Sequence, residues 1–531
     1  MKIRALLFFC IVFIEMNASS AELKLIPQPN SMQISEEKVV LANEMLIDFN
    51  TNIESQYLKE LLKKAVLRHL DTEQGGQHSD NDLQKIVCSI DKRLPKEEAY
   101  KIDIDEQAIR LTGASGRGLF YAIQTLDQIF TSYPDLRIDR RINKLNIVDA
   151  PRFEYRALML DPARHMLPVE DIKRYVDAMA YYKFNTLHLH LTDDHGWRLE
   201  MKEYPRLTEL GAKRDAIYND EILKGGFYTT EDLKGLVAYA AQRNVQIIPE
   251  VDIPGHGHAL LTAYPEFACF PDTTLKAEIK EAYPHAAPIC IGNHKFYAFY
   301  EDVIRKLSEI FTADEIHIGG DEVNKEAWSK CPKCQNLKNE KGLKMDDQLM
   351  DYLFERVTKI ASEYGKNVQF WHEAGHKYPE GETIFLWRLG TAQKVIADAR
   401  EQQLKLICAP GEYAYFDYPE SQSDKEYLPA WIPVLPLNKV YEFDPAYGLP
   451  KEESEYIRGI EATIWGESVK NIHRAFYMTF PRAFALADAG WTNMENREWK
   501  NFVVRMQYHL NVLLDRGINY RPPVELYKSK N

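Results

Sequence analysis

Beyond its N-terminal segment, the 531-residue sequence has no apolar run approaching the roughly 20 residues needed to cross a bilayer. Basic blocks are missing as well. Lys and Arg number 66 against 79 Asp and Glu, a net charge of −13, so the chain lacks the basic face that nucleic-acid phosphates attract. There is no internal repeat and no low-complexity tract. What remains, with 45% hydrophobic and 27% charged residues, is a folded soluble chain long enough for two or three domains.

Cysteine is scarce, with seven in all. Cys10 lies in the N-terminal segment, where Lys2 and Arg4 precede an apolar run from Ala5 to Ile14 and then Asn17-Ala18-Ser19-Ser20-Ala21. That run is too short to span a membrane and ends in small residues suited to cleavage, so residues 1–21 read as a secretory signal and the mature protein as periplasmic or secreted. A lipoprotein anchor at Cys10 is the alternative, disfavoured by the bulky Phe8-Phe9 before it. The others are Cys88, Cys269, Cys290, Cys331, Cys334 and Cys408, an even set that an exported chain can pair. Cys331-x-x-Cys334 is a single Cys-x-x-Cys. A zinc site needs two further ligands of the same kind, and no second such pair exists, so the spacing argues against zinc and for a local disulfide or a free pair. Cys269 and Cys290 bracket one loop and could staple it.

From residue 22 to residue 150 short strands and modest helices alternate. Tyr100–Ile104 has the alternation of a half-buried strand, Ala108–Leu111 that of its hairpin partner, and Gly118–Phe130 a helical spacing, which together predict a small α+β domain. Residues 151–517 change character. Eight short apolar runs recur, most with helices between them: Ala157–Leu160, Thr186–Leu191, Gln246–Glu250, Glu315–Ile318, Val368–Trp371, Thr383–Trp387, Leu404–Ala409 and Ile460–Trp465. Strands alternating with helices make parallel sheets, and eight is the number that closes a (β/α)8 barrel of the TIM type, an α/β fold. The gap between the fifth and sixth runs is too short for a regular helix. Helices fit Ile472–Asp488 and Arg497–Leu514, leaving a tail at 518–531.

Such barrels place their active sites at the carboxyl ends of the strands. Those ends carry Asp161 with Arg164 and His165, then Asp193-Asp194, then Glu250 to His256, then Gly319-Gly320-Asp321-Glu322. Further along come Trp371 and Glu373, Trp387, then Tyr413, Tyr415 and Asp417, and finally Trp465 with Glu467. Each has a plain structural explanation: a strand-end Trp packs, Arg164 with Asp161 makes an ion pair, one of Asp193-Asp194 caps a helix, and His256 satisfies a loop. Three tryptophans ending three strands, with carboxylates and an Arg on the same rim, suit the apolar faces and hydroxyl edges of a sugar ring. A neutral His256 within reach of a carboxylate would tune that carboxylate's proton affinity. Asp321 and Glu322 follow one another in a strand direction, so both serve one substrate only if the chain turns there. An ordinary retaining glycosidase takes its two carboxylates from separate strands, and the seventh run ends instead at Ala409-Pro410.

These residues resemble glycoside hydrolase family 20, the β-N-acetylhexosaminidases, over nearly the whole mature chain. The motifs that carry the resemblance are Asp161-x-x-Arg164-His165, His190-Leu191-Thr192-Asp193-Asp194, Pro254-Gly255-His256 and His317–Glu322, together with the helix Gly118–Leu126 of the small domain. The resemblance implies exo-acting, retaining hydrolysis in which the substrate's own acetamido oxygen is the nucleophile and an oxazolinium is the intermediate. By match to the motif, Glu322 is the acid and base, and Asp321 orients the acetamido group. Asp193 and His256 network with the acid. Arg164, Asp417 and Glu467 hold hydroxyls, Trp371, Trp387 and Trp465 box the sugar, and Tyr415 binds the acetamido oxygen. Glu373 matches least well.

The implied partner is a glycan with a terminal non-reducing β-N-acetylglucosamine or N-acetylgalactosamine, with no metal or organic cofactor, and nothing in the sequence specifies an oligomeric state. Two other readings stand beside it. One is the same fold acting on sulfated sugars or releasing a disaccharide, decided by the loops after Trp371 and between Tyr415 and Trp431. The other is a catalytically dead sugar-binding barrel, which the intact Asp321-Glu322 pair argues against.

Overall fold

The computed structural model describes residues 23–42, 45–50, 55–70, 84–213, 225–276, 288–423, 432–447 and 449–523. The segment read as a secretory signal, with Cys10, lies outside them. Six strands come first: β1 (Ser31–Val40), β2 (Met45–Asn50), β3 (Gln84–Ile90), β4 (Tyr100–Ile104), β5 (Ala108–Gly113) and β6 (Arg141–Asp149). They form one mixed sheet in the order β1-β6-β4-β5-β3-β2. The expected hairpin is present, β4 pairing antiparallel with β5. The helix Gly116–Thr131 begins at Ser115, whose side chain accepts from the Arg117 N–H, and it buries every residue from Gly118 to Phe130. A helix buried on all sides lies between two layers, here the sheet and the barrel, where Tyr121 meets Trp491 edge-on at 5.1 Å. Buried charges complete the junction: Arg156 reaches Glu98 at 2.7 Å, and the Trp491 indole donates to Asp149 at 2.8 Å.

The second sheet holds β7 (Tyr155–Leu160), β8 (Thr186–Asp193), the short β9 (Gly196–Trp197), β10 (Gln246–Val251), β11 (Glu315–His317), β12 (Asn367–Trp371), β13 (Thr383–Leu386), β14 (Lys405–Cys408) and β15 (Ile457–Ala462). Parallel pairings run from β8 through β10 to β15, back to β7 and on to β8, so the sheet closes on itself. All eight expected runs are barrel strands. The eighth starts three residues earlier than the apolar pattern suggested, and Trp465 lies beyond it in a loop. As the short gap required, β12 and β13 have no helix between them. The helix expected over Ile472–Asp488 is two helices, Ile472–Thr479 and Arg482–Trp491, separated at Pro481, where proline lacks the N–H that a continuous helix would use. The last helix is Trp499–Asp515.

The barrel interior is not purely aliphatic. Tyr155, Met159, Ile248, Trp371 and Phe385 pack in its centre around a buried ionic cluster. There Glu250 accepts from the Trp371 indole at 2.8 Å and lies 2.9 Å from His317 and 3.2 Å from His188, while His188 also contacts Glu461 at 2.8 Å. Because side chains alternate along a strand, His188 and His190 share the inward face of β8, and His190 bonds the same Glu250. Burial alone would raise Glu250, but His190 and His188 hold it well below the usual carboxylate range.

Candidate active site

The turn after β11 is built from left-handed backbone, with φ of +70° at Gly319, +97° at Gly320 and +51° at Glu322. A Cβ on Gly319 would fall 1.8 Å from an Asp252 carboxylate oxygen, so only glycine fits. This is the turn the adjacent carboxylates needed. It sends Asp321 inward, its side chain 12% exposed, and leaves Glu322 above it, 51% exposed.

His256 lies between two pairs of acids. Its Nδ1 is 3.6 Å from Asp193 and 3.4 Å from Asp194, and its Nε2 is 3.9 Å from both Asp321 and Glu322. Burial opposes charge on this ring, but Asp193, Asp194 and Asp252 outweigh it and hold the imidazole well above its ordinary range. The surrounding acids thus favour the charged form of the ring over the neutral one considered from sequence. Burial pushes Asp321 up to about 7; His256 opposes the rise and Glu322 adds to it. Oδ1 of Asp321 has no hydrogen-bond partner among the described residues.

Arg164 is clamped by Asp161 at 3.0 Å and Asp193 at 2.9 Å, with Glu467 3.7 Å from its Nε and the Trp465 ring 5.0 Å away. Its buried Nε has no hydrogen-bond partner among the described residues. Burial would raise Asp193, yet Arg164, His256 and His190 hold it well below the usual range. Across the rim, burial reinforced by Glu467 holds Asp417 well above that range, and burial raises Glu467 against the pull of Arg164. Trp371 and Trp465 stand 5.8 Å apart, Tyr415 is 6.3 Å from Trp465, and Trp387 packs on the same cluster while its indole donates to the His372 carbonyl at 2.9 Å. Trp371 is 1% exposed and belongs to the floor, whereas Trp387 and Trp465 are half-buried.

The structure thus gathers Arg164, Asp193, His256, Asp321, Glu322, Trp371, Trp387, Tyr415, Asp417, Trp465 and Glu467 at one end of the barrel. Glu373 is there too, accepting from the Glu322 N–H at 3.4 Å. Three contributors were given no role from sequence, although Glu250 and Asp252 lie on the third strand end named there. Glu250 orients His190 and the Trp371 indole, and its signal was a carboxylate inside an apolar strand opposite inward histidines. Asp252 accepts from the Gly320 N–H at 3.2 Å. Arg388 stacks over Trp387 at 3.7 Å and donates to Glu322 at 2.9 Å, reaching over from the β13 loop, with no sequence signal for it.

A wide concavity of about 1350 Å³ opens at the opposite end of the barrel, lined by Tyr155, Asn185, Gln246 and Arg458. It contains none of these side chains, and chemistry in such barrels belongs to the carboxyl ends of the strands.

A closed eight-stranded barrel with a buried carboxyl, a half-exposed carboxyl beside it and an aromatic floor defines a sugar-processing hydrolase. Residues 153–494 match the glycosyl hydrolase family 20 catalytic domain and residues 22–150 match domain 2 of that family, so the chain belongs to glycosyl hydrolase family 20 and is a glycoside hydrolase. It is 38% identical over 437 residues to a beta-hexosaminidase of Akkermansia muciniphila, covering 81% of this chain and 87% of that one. A beta-hexosaminidase of Vibrio furnissii is 34% identical over 487 residues, 89% of this chain and 77% of the relative. Among solved structures, a GH20 exo beta-N-acetylglucosaminidase from Vibrio harveyi, in complex with N-acetylglucosamine, superposes with a TM-score of 0.81 at 30% identity, over 94% of this chain and 78% of that one. Among the described residues no helix is long and apolar enough to cross a membrane.

Proposed function

We propose that this hydrolase is an exo-acting β-N-acetylhexosaminidase, exported by its N-terminal signal, that removes terminal β-linked N-acetylglucosamine or N-acetylgalactosamine with retention and substrate assistance. The observation that carries the reading is the Asp321-Glu322 turn, which pairs a buried carboxyl with an unpartnered oxygen and a half-exposed carboxyl above it. An acetamido N–H is the donor that Oδ1 of Asp321 lacks, and accepting it favours the ionised carboxylate.

Protonated Glu322 gives its proton to the leaving oxygen as the C1–O bond breaks. The acetamido oxygen closes on C1 to form the oxazolinium, whose nitrogen keeps its proton against Asp321. Water then attacks C1, Glu322 takes back a proton, and the ring opens to the retained hemiacetal. One carboxyl must start protonated and the other ionised; burial alone favours the neutral form at Asp321, so it is the acetamido N–H that draws Asp321 to its ionised form and leaves the proton to Glu322. His256, with its Nδ1 toward Asp193 and its Nε2 3.9 Å from both Asp321 and Glu322, links the two acids to Asp193. Arg164, Asp417 and Glu467 take ring hydroxyls, Trp371, Trp387 and Trp465 take the sugar faces and acetamido methyl, and Tyr415 takes the acetamido oxygen.

The test compares chromogenic β-glycosides that differ only at C2. Release from the acetamido sugar alone is expected. Equal release from the 2-hydroxy sugar would require an enzyme nucleophile and sink the mechanism, and no release from either would favour a sulfated or disaccharide substrate.

A further inference from the structure

Four cysteines that the sugar site does not use converge beside it. Cys269 and Cys290 come from the long excursion after β10, where Ala268 and Ile289 form an antiparallel bridge. Cys331 and Cys334 open the helix Pro332–Glu340 in the excursion after β11. Their sulfurs all lie within 4.8 Å of one another. The separations are 3.6 Å for Cys290–Cys331 and 3.7 Å for both Cys290–Cys334 and Cys269–Cys334. The expectations of a Cys269–Cys290 staple or a local Cys331–Cys334 disulfide rested on sequence proximity. The argument against zinc assumed that the second pair of ligands would also be Cys-x-x-Cys. Folding supplies that pair from two positions 21 residues apart instead, joined across the bridge.

Disulfide sulfurs sit about 2.05 Å apart. Four thiolates around a tetrahedral ion at about 2.3 Å are separated by about 3.8 Å, and the three separations of 3.6–3.7 Å match the second figure. The donor set is four sulfurs, without a carboxylate or imidazole, which selects a soft or borderline ion. The site is also dry: Cys290, Cys331 and Cys334 are 0% exposed and Cys269 is 7%. Its backbone is shaped for close approach, because a Cβ on Gly292 would lie 2.3 Å from the Lys333 carbonyl, so only glycine lets the Cys290 loop reach the Cys331-x-x-Cys334 turn.

We propose that Cys269, Cys290, Cys331 and Cys334 bind one zinc ion as a closed structural tetrathiolate. The site fastens the loop that carries His256 to the loop that carries Glu322. Protein contacts already run along that seam: the Ile289 N–H donates to Pro254 at 2.9 Å and the Trp328 indole donates to Ile289 at 3.0 Å. Four ligands leave no open position for substrate or water, so the ion acts by holding loops and not in the chemistry.

The test uses the full-length protein as purified without chelator from zinc-replete culture. Elemental analysis by plasma mass spectrometry is expected to find about one zinc per chain, released when a mercurial blocks the thiols. Alkylation under denaturation, without reductant, is expected to label all four cysteines. Cys331→Ser/Cys334→Ser is expected to carry less than a tenth of that zinc and to melt at lower temperature, while Cys88→Ser keeps the metal. Zinc below a tenth per chain in the wild-type protein, or any of the four found in a disulfide, overturns the proposal whether or not the double variant folds.

Discussion

On the part of the rim built from β7 and β8, the acids are paired: Asp161 and Asp193 grip Arg164, and Asp193 also takes His190 at 3.0 Å. Asp321 and Asp417, from the loops after β11 and β14, each keep an oxygen with no hydrogen-bond partner among the described residues. Burial is deep on both sides, so burial alone does not explain why Asp193 is held well below the carboxylate range and Asp321 and Asp417 above it. The difference is the cations. Arg164 and the histidines are built into the first group, whereas the second waits for donors that a sugar brings. Paired acids fix the frame and unpaired acids recognise the ligand, and the two groups should therefore fail in different ways.

The largest effect is expected at the acid itself. Glu322→Gln should lower turnover of an unactivated glycoside by about 10²–10⁴-fold and cost less on an aryl glycoside whose leaving group needs no proton. An equal loss on both substrates would contradict the assignment. Next comes the paired group. Arg164→Met leaves Asp161 and Asp193 buried without their cation, a loss of about 3–5 kcal/mol for a broken buried pair, to be read as a lowered denaturation midpoint. An Arg164 variant that melts like the wild type but only binds poorly would erase the distinction between the two groups. Asp417→Asn tests the other side: KM should rise by about 2- to 10-fold, as loss of one hydrogen bond worth about 0.5–1.5 kcal/mol implies, with no loss of melting temperature.

The barrel was legible because parallel strands buried on both faces read as continuous apolar runs, and their charged residues cluster where the runs stop. Asp161, Asp193, Asp321 and Glu467 are visible for that reason. The roles within the inner ionic cluster were hidden by the same logic, since a hydrophobic pattern registers Glu250 only as the end of a strand and His188 as an interruption within one. The boundary at Ile457 was missed because Arg458 and Gly459 dilute the apolar run. Arg388 and the four-cysteine cluster depend on loops meeting in space, and one sequence holds no record of which loops meet.

The smallest shifts, those in pH dependence and melting, are the most direct test of the unpaired group. Asp321 is raised from 3.8 to about 7, so in the free enzyme its ionised form should emerge only as pH rises through that value, and the acid limb of kcat/KM should fall there. With substrate bound, the acetamido N–H favours the ionised form, so the limb of kcat should lie at lower pH. Stability runs the other way. A carboxyl raised in the folded state contributes stability that is present below its unfolded value and lost as pH rises through about 7. Asp321→Asn should therefore abolish most activity yet melt above the wild type at pH 8, with the two converging near pH 4. If the kcat and kcat/KM limbs coincide, or if the melting difference is the same at both pH values, Asp321 is not an acid waiting for an amide, and the contrast between the two groups of acids loses its chemical meaning.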